Sequence, residues 1–330
     1  MNGVSGRLPA RARQLADWCV VAFGLTIPVW TLADSLLIAV LIPAWLCTGG
    51  WHEKLRRVRE SPVALAIVAF VGLMALGTLW GLGGLEDRAL GFKKYSELLF
   101  VPLLVSMAIS SEWKERALTA FAASMAVTLV LSLGLAAGVL PVMGVLKGVP
   151  DNLFCPFKKH TTHNVLMAFA SLVFALRAWT APVCRWKWIW GGLAALAVAS
   201  VLLMVQGRTG YVVLAALGIA VFHSAYRWKG TALATVLLAG MLAGAYMVAP
   251  GFHQRADLVV EGLQKWDAGT VAHDSVGERM EFVYHTLDIV RAHPLVGVGT
   301  GGFVEAYAEQ VKGTSFPVTR HPHKIGRAHV

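Results

Sequence analysis

The chain has 330 residues, 56% of them hydrophobic and 15% charged, and a formal net charge of +10. This composition is not that of a soluble globular domain and indicates a polytopic membrane protein. Apolar runs such as 191–204 do not alternate at period two, which argues against a transmembrane β-barrel. The predicted fold class is therefore an all-α bundle of transmembrane helices.

About nine membrane-spanning helices are predicted, since an apolar helix of about 20 residues crosses the hydrocarbon core. Two of them come from Leu15–Cys47, which is too long for one span and which we expect Asp34 to divide. The other seven are the apolar windows 62–81, 94–110, 117–139, 164–180, 188–206, 210–226 and 230–249. The basic start of the chain lacks a convincing cleavage site, so the first span is predicted to be an uncleaved anchor.

The positive charge follows membrane topology and does not indicate nucleic-acid binding. With the N-terminus inside, the predicted cytoplasmic loops carry fourteen Lys and Arg residues and the outer loops of the bundle seven. This ratio is the positive-inside pattern. It places the polar stretch 250–323 outside the cytoplasm, after the bundle of residues 1–249.

A helix is predicted within this stretch. Ser275-Val-Gly-Glu278 fits a capping box, and Pro294 should end the helix by His293. One apolar stripe at helical spacing is formed by Met280, Val283, Leu287 and Val290. We expect the stripe to pack onto the outer surface of the bundle. The polar face would then point towards a cavity, with Arg279, Glu281, His285 and Asp288.

The segment Gly297-Val-Gly-Thr-Gly-Gly302 matches the pattern G-x-G-x-x-G. A dinucleotide site needs a strand before the glycines and a helix after them within a βαβ unit. Here the glycines follow a predicted helix in a membrane protein. We expect them to allow a sharp turn or a close approach of the backbone to a ligand.

Two basic segments on the predicted outer side are candidates for binding an anion. Gln206-Gly-Arg-Thr-Gly-Tyr211 puts Arg208 between two apolar spans, where it either extends to the lipid headgroups or binds a phosphate group. In Lys158-Lys-His-Thr-Thr-His-Asn164 the two histidines lack a third metal ligand nearby. A basic cluster for a diphosphate or a headgroup is preferred there, and a loop of headgroup-contacting lysines is the alternative.

The segment Arg320-His-Pro-His323 supplies a candidate base, because a neutral histidine can take a proton from a sugar hydroxyl. A single histidine in a loop is more often an ordinary surface residue. The segment gains weight only from its combination with the other motifs.

Together these motifs resemble the O-antigen ligase/polymerase superfamily of bacterial envelope glycosyltransferases. The resemblance rests on Gln206–Tyr211, on Glu278-Arg-Met-Glu-Phe leading into Ile289–Phe303 with its His-Pro-Leu-Val-Gly-Val-Gly block, and on His321-Pro-His323. It covers essentially residues 15–323. The family usually has H-x-H-N at the last motif, and Lys324 replaces the asparagine here.

The resemblance implies a GT-C-like helical bundle that transfers glycan from undecaprenyl diphosphate without a cofactor or a metal ion. Arg208 and Arg279 resemble the arginines that bind the diphosphate, and His323 resembles the histidine proposed to activate the acceptor. Further candidate substrate-binding residues on the same side are Lys93, Lys159, His160, His163 and His321. The expected location is the bacterial inner membrane, with the site facing the periplasm.

The preferred function is an O-antigen ligase that transfers the glycan to lipid A-core with inversion. An O-antigen polymerase and a protein O-oligosaccharyltransferase share the same motifs and remain alternatives. A transporter of the lipid-linked glycan is disfavoured, because charged residues are nearly absent from the middle of the spans and collect at the outer face. The expected partners are the lipid-linked glycan, lipid A-core and membrane lipids, and no nucleic acid.

The last seven residues, Lys324–Val330, match the translation of a common short-read sequencing adapter. We expect them to be foreign to the gene and the chain to be truncated within the periplasmic loop. Resequencing the locus tests this expectation, and a native stop codon after Val330 would contradict it.

Overall fold

The computed structural model describes residues 7–140, 154–205, 208–248 and 277–312, with isolated positions 253, 257, 258, 260, 261 and 264. Twelve α-helices and no strand are found among these residues. In chain order they are α1 (Arg7–Thr26), α2 (Thr31–Cys47), α3 (Trp51–Glu60), α4 (Pro62–Gly77), α5 (Leu85–Ser96), α6 (Phe100–Met107), α7 (Ser111–Ala136), α8 (His160–Thr180), α9 (Cys184–Ala199), α10 (Arg208–Val248), α11 (Gly277–Ala292) and α12 (Phe303–Gln310).

Three segments of the described chain are long and apolar enough to cross a membrane: Ser111–Ala136, Cys184–Met204 and Thr209–Gly244. A fourth is obtained if α2 and the short helix after it count as one broken span. The prediction of an all-α membrane protein is therefore confirmed. The total of about nine spans stays a prediction.

The chain divides into two compact units. Unit 1 contains residues 1–49 and 109–254, and unit 2 contains residues 50–108 and 255–330. The second unit thus joins the segment predicted as a periplasmic loop to the helices α3–α6. The predicted boundary near residue 250 lies close to residue 254, where unit 1 ends.

The core of unit 1 is formed by α7, α8 and α9 with the turn after α9. Phe121, Met125 and Leu129 of α7 pack with Met167 and Phe174 of α8, and all five side chains are buried. Small residues let the helices approach closely there, as is common in membrane bundles. This packing holds the beginnings of α8 and α10, described below, on a rigid framework.

The helix α10 is broken at Arg227, whose φ of 55° and ψ of −138° are not helical. His223 Nδ1 and Thr231 Oγ1 lie 2.8 Å apart across the break. In a continuous helix, residues eight positions apart are separated by about 12 Å along the axis, so the chain must fold back here. The break falls in the connection predicted between windows 210–226 and 230–249.

The turn between α1 and α2 lies at Ile27–Trp30, before Asp34 and not at it. Asp34 instead sits in the first turn of α2, where its carboxylate accepts a hydrogen bond from Thr26 Oγ1 at 2.7 Å. The expectation that Asp34 itself divides the two helices is therefore wrong. Pro28 in the turn supplies the break, because it follows the last residues of α1 and cannot donate a backbone hydrogen bond.

In unit 2 the turn after α11 is interlocked with the turn between α4 and α5. Thr300 N donates to Gly77 O at 2.9 Å, and Thr300 Oγ1 donates to Met74 O at 2.6 Å. Leu82 N donates to Val298 O at 3.2 Å. The glycine motif therefore forms a sharp turn, which is one of the two roles expected for it. The turn approaches the backbone between α4 and α5 closely.

Gly299 and Gly297 allow a matched test of this packing. Both have positive φ, but an added Cβ at Gly299 would lie 2.5 Å from Gly81 Cα, whereas at Gly297 it would meet nothing within 4 Å. Gly297→Ala should lower the free energy of unfolding by about 1 kcal/mol through backbone strain alone. Gly299→Ala should lower the free energy of unfolding by about 1–3 kcal/mol more than Gly297→Ala, because the added methyl group also overpacks the contact.

Thermal unfolding of the two variants in detergent checks this prediction. We expect the Gly299→Ala protein to unfold at a clearly lower temperature than the Gly297→Ala protein. Equal unfolding temperatures would show that the interlock contributes nothing to stability.

Candidate functional site

The first residues of α8 and α10 lie against each other at one end of unit 1. Asn164 Nδ2, just after the first turn of α8, donates to Val205 O at 3.2 Å. A Cβ on Gly210, in the first turn of α10, would lie 2.8 Å from Asn164 Cβ, so only glycine fits there without displacement. The structure thus brings together two sequence motifs that are about 45 residues apart.

A π-helical turn at Ser200–Met204 leads into this junction. Such turns are rare in proteins, and those that occur are often found at functional sites. Val205 follows in an extended conformation, with φ −98° and ψ 126°, and ends the helical segment that began with α9. Arg208 is then the first residue of α10. Its backbone position is thereby set at the junction, and its side chain lies outside the described part of the structure.

The junction has the electrostatic character of an anion site. The first turn of a helix leaves N–H groups without intrahelical partners, and the helix dipole adds partial positive charge. α8 has no side-chain cap at Lys159, and the Lys159 side chain is exposed beside this helix start. Two helix N-termini, one preceded by Lys159 and the other beginning with Arg208, can therefore hold phosphate oxygens.

His160 and His163, both in the first turn of α8, differ in environment. His160 is half-buried, whereas His163 is only 2% exposed and its Nε2 has no hydrogen-bond partner among the described residues. Burial without a counter-charge disfavours the imidazolium, so His163 does not act as a cation. It can offer one hydrogen bond from a neutral ring. No group of three possible metal-binding side chains occurs in the described part of the chain.

Lys158 is committed to the fold and is not an available cation. Its Nζ donates to Thr31 Oγ1 at 2.7 Å and lies 3.6 Å from the Asp34 carboxylate. Both charged side chains are largely buried. This pair ties the segment before α8 to the turn between α1 and α2. The sequence pattern that places Lys158 in a basic cluster therefore needs correction, and Lys159 is its exposed lysine.

Lys93 and Arg279 belong to unit 2. Lys93 is exposed in the last turn of α5, where a cation is favoured by the helix dipole. Arg279 is exposed near the start of α11, and it has no ion pair or side-chain hydrogen bond with another described residue. Both side chains are open to an anionic ligand.

The helix α11 has the predicted end, since it ends at Ala292 just before His293 and Pro294. The predicted orientation of its faces is wrong. Phe282 and Ile289 pack with Tyr307 and Val311, whereas Val283, Leu287 and Val290 are exposed. The aromatic side chain of Phe282 decides the buried face, because it meets Tyr307 of α12 with ring centroids 5.3 Å apart.

This orientation buries Glu281 and His285, which we expected to face a cavity. Glu281 is 1% exposed, and its Oε2 lies 3.5 Å from His285 Nε2. The neighbouring Tyr307 is buried as well, and burial together with the Glu281 carboxylate raises the pKa of its phenol. The three side chains form a polar cluster inside unit 2, a grouping that helical spacing alone does not reveal because Tyr307 comes from another helix.

His321 and His323 lie outside the described residues, as do Arg320 and the proposed capping serine, Ser275. Of the remaining candidates, Lys159, His160 and His163 lie at the start of α8, the helix whose Asn164 contacts Gly210 near the start of α10. Arg279 and Lys93 are placed within unit 2, which is described by itself.

A comparison with family models matches residues 193–325 to the family described as O-antigen ligase. Neither the comparison with curated proteins nor the comparison with solved structures gave a match. The matched region begins in α9 and includes the π-turn, Arg208, α10, α11, the glycine turn and α12. This superfamily consists of glycosyltransferase-like membrane enzymes that use lipid-linked glycans. Residues 193–325 are therefore similar to the O-antigen ligase family, and this match supports the resemblance of the chain to the O-antigen ligase/polymerase superfamily.

Proposed function

We propose that the protein transfers O-antigen glycan from undecaprenyl diphosphate to lipid A-core at the periplasmic face of the bacterial inner membrane. The observation that carries this proposal is the meeting of the starts of α8 and α10, with Lys159 immediately before α8 and Arg208 as the first residue of α10. A diphosphate leaving group carries the negative charge that such a junction favours. Undecaprenyl diphosphate would supply it at the surface of the membrane.

The proposed reaction is an inverting displacement. The acceptor hydroxyl oxygen attacks the anomeric carbon while the bond from that carbon to the diphosphate oxygen breaks, and the diphosphate leaves with the bonding electrons. His323 takes the proton from the attacking hydroxyl. Arg208 and Arg279 bind the diphosphate and stabilise the charge that develops on it. Lys93, Lys159, His160, His163 and His321 are proposed to contact the substrates.

The proposed base can be tested by replacing His323 with alanine in the protein expressed from its gene. General-base catalysis contributes about 10²–10⁴-fold to rate, so transfer should fall by at least about 100-fold. His293→Ala is the matched control, because this histidine is exposed at the end of α11 and has no assigned role. Transfer that survives in the His323→Ala protein, at equal amounts in the membrane, would remove the assignment.

Metal ions are not expected to take part, because the guanidinium groups and helix N-termini supply the positive charge that a divalent ion would otherwise provide. Treating the purified enzyme with EDTA should leave the rate of transfer unchanged. Inhibition by EDTA that Mg²⁺ or Mn²⁺ reverses would show that a metal ion binds the diphosphate instead.

Complementation of mutant strains distinguishes the ligase function from the related polymerase and oligosaccharyltransferase functions. The gene should restore lipopolysaccharide capped with O-antigen in a strain that lacks its own ligase. Restoration of long O-antigen chains in a polymerase-deficient strain, without capping in the ligase-deficient strain, would identify an O-antigen polymerase. Glycosylated protein without capped lipopolysaccharide would identify an oligosaccharyltransferase.

A further inference from the structure

We propose that unit 2 carries a surface that lies in the interfacial region of a phospholipid bilayer, with α11 parallel to the membrane plane. This interfacial surface consists of the outer stripe of α11 and the apolar residues of the two interlocked turns. Its members are Val283, Leu287, Val290, Leu295, Val296, Leu79, Leu82 and Leu85. The inference does not depend on which glycan or acceptor the enzyme uses.

The stripe on α11 is open although it is apolar. Val283, Leu287 and Val290 are 55%, 49% and 53% exposed, while Glu281 and His285 on the opposite side of the helix are buried. A surface helix on a soluble core buries its apolar side and exposes its polar side. α11 instead exposes this apolar stripe and buries polar side chains opposite it. Exposed apolar patches of this kind mark a surface that contacts something other than water.

Positive charges stand at both edges of this stripe. At about 100° per residue, Arg279 lies about 40° to one side of Val283 and Arg291 about 80° to the other. Both side chains are exposed, and Arg291 NH1 also contacts the Asp288 carboxylate at 2.9 Å. An apolar stripe between arginines is typical of an interfacial helix, whose aliphatic residues enter the acyl region while the guanidinium groups reach lipid phosphates.

The two interlocked turns extend the apolar surface. Leu295 and Val296 are 94% and 68% exposed directly after α11. Val296 O accepts a hydrogen bond of 3.2 Å from Trp80 Nε1, and Trp80 lies among the exposed residues Leu79 and Leu82. Tryptophan is favoured at the membrane interface, where its ring is apolar and its N–H needs a partner.

The same surface continues onto α4, the helix of the predicted span 62–81. Aliphatic and aromatic side chains are exposed along its whole length, namely Val63, Leu65, Val68, Phe70, Leu73 and Leu76. This short apolar helix leads directly into Leu79, Trp80 and Leu82, so its predicted insertion in the membrane would bring the interlocked turns to the bilayer surface. This continuity, together with the flanking arginines, favours lipid over a protein partner.

Depth-dependent quenching tests the proposal in the full chain reconstituted in vesicles. Leu287→Cys is introduced into a background in which Cys19, Cys47, Cys155 and Cys184 are replaced by serine, and the new thiol is labelled with a fluorophore sensitive to polarity. The matched control is Gln310→Cys in α12, an exposed polar position. Correct folding of the background protein is checked by its elution as a single species.

We expect brominated phospholipids containing phosphatidylglycerol to quench the label at position 287 at least about twofold more than at position 310. Iodide in the aqueous phase should show the reverse preference. Equal quenching by iodide at the two positions would place α11 in water and overturn the proposal. Protection of position 287 from both quenchers would show that polypeptide covers the stripe and would overturn it as well.

Discussion

Replacing Arg208 with alanine should reduce glycan transfer by about 100-fold or more, without loss of protein from the membrane. Removing one donor that stabilises a developing negative charge costs about 10²–10³-fold in rate. Arg208 begins α10 beside the start of α8, so its loss removes the fixed cation from the proposed diphosphate site. The measurement is the initial rate of transfer by the reconstituted enzyme, at matched protein amounts.

Arg208→Lys refines this test, because it keeps the charge and removes the planar fork of donors. We expect it to recover only part of the rate, since a lysine cannot bind two phosphate oxygens side by side. Arg59→Ala, at an exposed position of α3, is the control for loss of a surface arginine. Wild-type transfer by Arg208→Ala would mean that this arginine only contacts lipid headgroups.

Arg279→Ala should have an effect of similar size, about 100-fold or more in the rate of transfer. Its side chain is exposed near the start of α11 and is not engaged in the packing of unit 2. The substitution should therefore leave the unfolding temperature unchanged, and the loss should come from substrate binding or transition-state stabilisation alone.

Arg291→Ala on the same helix is the matched control for Arg279→Ala. It removes an exposed arginine that pairs with Asp288, and such exposed pairs contribute little to stability, about 0–1 kcal/mol. The control should keep most of its activity. If both variants lose transfer equally, Arg279 acts only as one of two lipid-contacting cations and not as a diphosphate ligand.

Local signals in the sequence were sufficient for the end of α11, because Pro294 restricts the residue before it. They were not sufficient for the orientation of the helix. The apolar positions 280, 283, 287 and 290 compete with Phe282 and Ile289, and the outcome depends on contacts with Tyr307 and Val311 from a different part of the chain. Spacing along one helix carries no information about that partner.

The basic residues of the candidate site could likewise be predicted only in part from the sequence. The sequence identified Lys158, Lys159 and Arg208 as possible anion ligands, but only the fold shows that Lys158 is paired with Asp34. It likewise shows that His163 is buried and that Asn164 joins α8 to Val205. The sequence shows which residues are basic. Which of them remain free to bind an anion depends on contacts with residues more than 40 positions away in the chain.

The measurement that tests the proposed function most directly uses the purified enzyme with defined substrates. The enzyme is reconstituted with glycan-linked undecaprenyl diphosphate and lipid A-core, and the products are separated and identified. We predict lipid A-core that carries the glycan through an inverted anomeric linkage, with free undecaprenyl diphosphate released in equal amount. Unmodified lipid A-core, or a longer glycan that is still attached to undecaprenyl diphosphate, would contradict the proposed ligase reaction.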